Sequence, residues 1–157
     1  MPDVSHHCLQ TNHNIDFLKS FFPSYLYNDW AITVAFYASL HIIENAIFIK
    51  GKITFRGKEE VIRHSNEMRK ILKKKEILPD GGPPEPYSNH IIRQCIVNEN
   101  FEKICDHYKL LYSTSITARY RNYCLDKRVT DYIIKGSLIS IIDWSNTNFG
   151  TKFPTAI

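Results

Sequence analysis

A chain of 157 residues with 43% hydrophobic and 13% aromatic content is long enough for one domain with a single buried core, and too apolar to stay disordered. Its formal charge of +4 is mild beside strongly basic nucleic-acid-binding domains; it permits an anionic partner without requiring one. Cys8, Cys95, Cys105 and Cys124 include no C-x-x-C pair, and no secretory apolar run opens the chain, so free thiols in a reducing cytoplasm are expected.

The first segment, Val4–Phe22, is predicted to be a helix packed along its successor, with Cys8, Leu9, Ile15, Leu18 and Phe21 as its apolar set and Pro23 as its stop. Its histidines His6, His7 and His13 fit no closed zinc spacing and are read as surface or interface residues. Asp29–Lys50 follows, apolar nearly all round, which predicts a helix sheathed by others, N-capped by Asp29 and stopped by Gly51. One stripe on it runs Trp30, Val34, Tyr37, His41, Glu44, Phe48; a second runs Ile32, Phe36, Leu40, Ile43, Ile47. Its length would suit a bilayer, but His41, Glu44 and Asn45 fall within it, and a charged residue at mid-helix costs about 2.5–3.5 kcal/mol on insertion. A buried bundle helix is therefore expected, and no membrane.

Lys52–Gly57 reads as a strand-like arm or a loop, and Glu59–Leu78 as a helix with Val61, Ser65, Met68 and Leu72 inward. Lysines 70, 73, 74 and 75 suit its C-terminal end. Pro79–Pro86 (PDGGPPEP) must be a loop. Ser88–Arg121 opens on a capping serine and forms one long helix or two end to end. Its seam is Val97, Phe101, Ile104, Tyr108, Leu111, Ser115, Ala118. After a break at Asn122–Asp126, Lys127–Ser145 is the last helix, with Ile134, Leu138, Ile141 and Trp144 inward and Gly136 marking a close approach; Asn146–Ile157 is expected to be loosely held. With no sustained period-two alternation, the fold class is all-α: an up-and-down bundle of four or five helices in a single domain.

Polar residues inside apolar helices are the candidates for chemistry. His41 and Glu44 lie one turn apart and each needs a partner. A His–Glu pair of this spacing also suits a metal-binding bundle, but the further carboxylates such a site needs are missing, so no metal and no cofactor are expected. Tyr37 and Tyr108 read as core residues. Arg119 shares a face with Tyr112 and Ser115, where a guanidinium can bind phosphate or stack on a ring.

Three stretches, Phe36-Tyr37-Ala38-Ser39-Leu40-His41, Arg63-His64-Ser65-x-Glu67-x-Arg69 and Tyr108-x-x-Leu111-Tyr112-x-x-Ser115-x-x-x-Arg119-Tyr120, occur in an order and at separations that resemble the HEPN domains. These are helical domains of prokaryotic toxin, nucleotidyltransferase-partner and defence systems. The first stretch is similar to the family's Y-Y-A-x-x-H helix, His64 to its S-H element, and the third to the close of its third helix; the likeness covers about Asn28–Tyr120. It implies a bundle that commonly dimerises around a polar cleft, binds RNA or nucleotides, and in many members cleaves RNA without metal through an R-x(4-6)-H motif. Here Arg56 and His64 have seven residues between them, and no histidine follows Arg119 or Arg121, so that motif is absent.

The expected catalytic set is His41 or His64 as general acid/base with Arg119 and Arg69 on the phosphate and Glu44 orienting His41; Tyr112, Ser115 and Tyr120 complete the binding face. The rival expectation is a non-catalytic helical module that binds a partner protein, and a third is a small-nucleotide sensor.

Overall fold

The computed structural model describes residues 3–75, 88–120 and 125–157. The predicted Pro79–Pro86 loop, the end of the helix beyond Lys75 and most of the 122–126 break lie outside the described residues. The architecture is an all-α bundle with one small hairpin. Its order is α1 (Val4–Phe21), a 3-10 turn (Phe22–Ser24), α2 (Asn28–Lys50), β1 (Lys52–Phe55), β2 (Lys58–Val61), α3 (Ser65–Lys75), α4 (Asn89–Asn100) and α5 (Glu102–Tyr120). A last helical run follows, made of α6 (Lys127–Asp131), a π-helical stretch (Tyr132–Leu138) and α7 (Ile139–Phe149).

α2 is the axis. It packs most extensively on α1, then on α5, and also on α7 and the π-helical stretch. Ile32, Ala35, Phe36, Ile43 and Ile47 are buried, as the near-continuous apolar sequence requires. Among the described residues α2 alone is long and apolar enough to cross a membrane, and 72% of its most apolar window is buried inside the bundle. The sheath is incomplete along the other stripe, where Trp30 and Tyr37 are exposed. Tyr37 is thus a surface ring rather than the core residue predicted. Asp29 does not cap the helix either: Tyr27 occupies that position, and Asp29 sits in the first turn, where a carboxylate still favours the helix dipole. Gly51 ends α2 in the left-handed conformation, with its N–H on Ile47 O.

The predicted Glu59–Leu78 helix starts later than its periodicity implied. Arg56 and Gly57 both have positive φ, which makes a tight reversal, and residues 58–61 return as β2 with Ile53 opposite Glu60. Val61 is consequently exposed rather than inward, while Ser65, Met68 and Leu72 do face in. Partners on α4 hold the hairpin. The Glu99 carboxylate accepts the N–H groups of Arg56 (2.8 Å) and Gly57 (3.0 Å), and the Asn100 side chain bonds both N–H and C=O of Thr54 (2.8 and 2.7 Å). Such long-range contacts leave no periodic trace in sequence.

Ser88 caps α4 as expected, accepting from Ile91 N–H, and the long segment divides at Phe101, whose backbone leaves the helical region. The seam from Val97 to Ala118 is buried throughout. Gly136, expected at a close approach, lies in the π-helical stretch and has open space where a Cβ would stand. The expected loose tail is instead tied down. Asn146 accepts from Phe153 N–H (2.9 Å) and donates to Phe153 O (2.9 Å), and the Phe153 ring is buried. Phe153→Ala is expected to lower unfolding stability by about 3 kcal/mol, measured by urea denaturation.

Candidate active site

The site is built on Glu44, a carboxylate on the most apolar helix of the chain. It is buried, so it must be neutralised and bonded or the helix could not pack. Arg93, equally buried on α4, donates Nε to Glu44 Oε1 at 2.7 Å. The Ser65 hydroxyl donates to the same oxygen, and Ser65 N–H, at the start of α3 where backbone N–H groups lack an intrahelical acceptor, donates to Oε2 at 3.1 Å. Arg93 Nη2 closes the ring on Ser65 Oγ at 3.1 Å. Burial alone would push the Glu44 carboxyl up; His64, Arg93 and Ser65 overcome it and hold it at about 2. Tyr108 lies beneath in full burial, which raises its phenol to about 12 against the pull of Arg93.

Above this network stand three imidazoles. His7 is buried, with Nδ1 at 3.3 Å from His41 Nδ1 and Nε2 at 3.3 Å from His64 Nδ1. His64 Nδ1 is 3.7 Å from Glu44 Oε2, too long for a hydrogen bond but close enough for charge to act. Burial lowers His7 to about 4, partly opposed by Glu44 and reinforced by His41 and His64; burial also lowers His41. The residues enclose a cleft of about 530 Å³. His7, His41, Glu44, His64 and Arg93 line it together with Leu40, and Asn66, Arg69, Lys70 and Asn89 complete the wall.

Of the eight residues singled out in the sequence, His41, His64, Glu44 and Arg69 come together in this cleft. Glu44 does not orient His41 as expected, since its hydrogen bonds go to Ser65 and Arg93. Arg119, Tyr112, Ser115 and Tyr120 do not line it. Arg119 donates Nε to Ser115 O (3.1 Å) and Nη1 to the Tyr37 hydroxyl (3.4 Å), with its guanidinium over the rings of Tyr37 and Tyr120. Ser115 Oγ is spent on Tyr112 O, and Tyr112 stacks on His90, whose Nδ1 is 3.5 Å from Arg93 Nη1. This second cluster therefore touches the cleft through His90 alone among these contacts.

Two cleft residues escaped the sequence reading. His7, read as a surface residue, continues the buried α1 stripe Thr11, Ile15, Leu18 back by one turn, a signal that was present. Arg93 likewise precedes Val97 by four on the seam that ends at Ala118. Metal ligation is not what this geometry offers. His7 turns a different ring nitrogen to each neighbour, so the three donors do not converge on one point, and no metal-binding group of His, Cys, Asp and Glu is found among the described residues. Cys8, Cys95 and Cys105 are free thiols, as expected.

Compared with known proteins, the chain matches no family model, no curated protein and no solved structure. The site must be interpreted from its own chemistry.

Two outcomes follow from the network. Arg93→Met, which strands a buried carboxylate, is expected to destabilise the fold by about 3–5 kcal/mol in urea titrations, and adding Glu44→Leu to recover most of the loss. The second concerns pH. His7 stays neutral in the folded state where the unfolded chain would take up a proton, so its contribution is complete above about 6.5 and declines as pH falls toward about 4. Glu44 behaves similarly at lower pH, losing its contribution as pH falls from 4.5 toward about 2. The melting temperature is expected to drop across both windows, and His7→Gln to flatten the upper one.

Proposed function

We propose that this protein binds single-stranded RNA in the cleft and cleaves its phosphodiester bonds without a metal, as a HEPN-like ribonuclease with a rearranged site. The observation that carries the proposal is a run of three contacting imidazoles in a cleft walled by Arg69 and Lys70. Imidazole is the side chain best suited to moving protons near neutral pH, and the wall cations suit a phosphate. The likeness of the α2 and α3 motifs to HEPN domains supports the same reading.

The chemistry uses the substrate's own nucleophile. The 2′-hydroxyl attacks the adjacent phosphorus as the 5′ oxygen departs, leaving a 2′,3′-cyclic phosphate. One of His41 and His64 takes the hydroxyl proton and the other supplies one to the leaving oxygen. Arg69 and Lys70 offset the charge that grows on the non-bridging oxygens. Arg93 is committed to Glu44, so its part is to hold the floor rather than to grip substrate.

A second reading, a protein-binding module, is favoured by one feature. Phe17, Phe21, Tyr27 and Trp30 line an apolar hollow of about 400 Å³ on the outside of α1 and α2, and Phe17, Tyr27 and Trp30 are exposed.

Single-stranded RNA incubated with the protein and a chelator is expected to yield cyclic-phosphate ends, with His41→Ala and His64→Ala each reducing the rate by about 10²–10⁴-fold. Undiminished cleavage by the double histidine variant would remove the proposal. Arg69→Ala and Lys70→Ala are expected to weaken binding, each lowering the slope of log affinity against log salt by about 0.7. RNA that neither binds at low salt nor is cut favours the protein-binding module.

A further inference from the structure

Two cleft imidazoles are joined by a third that is itself almost wholly enclosed. His7 is 4% exposed and faces His41 through Nδ1 and His64 through Nε2, at 3.3 Å each. Both outer rings meet it through Nδ1. Packing does not require this. An aliphatic side chain at position 7 would extend the Thr11, Ile15, Leu18 stripe without setting ring nitrogens against one another. A neutral imidazole, however, has one N–H and one lone pair, so an imidazole bonded at both nitrogens can accept a proton on one side while giving one up on the other.

We propose that His7 is a proton relay linking His41 to His64, so that the base and the acid of the cleavage step are two ends of one wire. This rests on reading the cleft as a phosphodiester-cleaving site. The transfers balance. The 2′-hydroxyl proton passes to His41 Nε2, and His41 Nδ1–H passes to His7 Nδ1. His7 Nε2–H then passes to His64 Nδ1, and His64 Nε2–H goes to the departing 5′ oxygen. The O2′–P bond forms, the P–O5′ bond breaks, and no ring gains net charge. Water attacking the cyclic phosphate from the His64 end drives the same transfers in reverse and restores the starting tautomers.

The groups facing His7 fit this direction. They are His6 on its own helix, His41 and Glu44 on α2, and His64 at the head of α3, with Arg93 of α4 behind Glu44. Glu44 lies nearest His64 Nδ1 and favours a proton arriving there. Burial holds His7 down to about 4 and lowers His41 as well, which favours neutral rings at both positions.

The test uses the full chain with His7→Gln and His7→Ala, scored by RNA cleavage across pH and by ¹⁵N-histidine NMR. A relay predicts a loss of about 100-fold in kcat with KM little changed, and a new alkaline limb in the pH profile, because the variant needs one ring protonated. It also predicts that free imidazole restores cleavage to His7→Ala. In the native protein His41 and His64 should titrate as a coupled pair, and in His7→Gln separately. Cleavage by His7→Gln at the native rate and pH profile overturns the relay and leaves the cleft assignment standing. A loss with an unchanged profile and no imidazole rescue also overturns it, in favour of a structural role. Should His41→Ala and His64→Ala both cleave normally, the cleft assignment fails instead. NMR then decides the wire alone, and independent titration in the native protein refutes it.

Discussion

One buried carboxylate governs this structure. Glu44 sits in the most apolar helix of the chain, and removing an unpaired charge from water would cost several kcal/mol. Arg93 and Ser65 repay that cost from two other helices, with three side-chain hydrogen bonds closing a ring and a fourth from the Ser65 backbone N–H. The ring fixes the register of α2, α3 and α4 where apolar contact alone would tolerate sliding. It also leaves a fixed negative charge beneath the histidines. The polar contacts that join these helices are thus the floor of the cleft.

That floor explains the state of the imidazoles. Burial favours the neutral forms of His7 and His41, while the nearby carboxylate partly resists, and at both burial wins. Under the proposed function, neutral rings in mutual contact would be poor anchors for a phosphate on their own, and the charge for that purpose would come from Arg69 and Lys70 on the wall. Proton handling and anion attraction would then lie on different elements: the histidines come from α1, α2 and the head of α3, the cations from the body of α3.

Much of the fold was legible because it is local. The apolar run of α2, its glycine stop, the Ser88 cap and the α4–α5 seam each state their structure within a few residues. The hairpin was not, since its strands are four residues long and are held by Glu99 and Asn100, some forty positions away. The tail was misjudged for the same reason: Asn146 reads as a turn former, yet its amide acts as a backbone partner for Phe153. For the site, His41, Glu44 and His64 stood out as polar residues among apolar or motif-bearing neighbours. His7 did not, because with His6 and His13 it forms no closed zinc spacing, and such a set reads as surface or interface histidines. Arg119 drew notice through its motif, whereas its own ring contacts occupy it outside the cleft.

The placement of α3 has a last implication. Among the helices it packs chiefly on α4, and both helices contribute residues to the buried core, Leu72 from α3 and Ile92 from α4. One wall of the cleft, with Asn66, Arg69, Lys70 and Asn89, is thus set by this pair of helices, whereas the imidazoles are carried mainly by the axis and its first neighbour. Changes of bulk along that one seam could retune which molecules fit while the reacting groups stay where they are. Selectivity and chemistry would then be free to diverge separately in descendants of this chain.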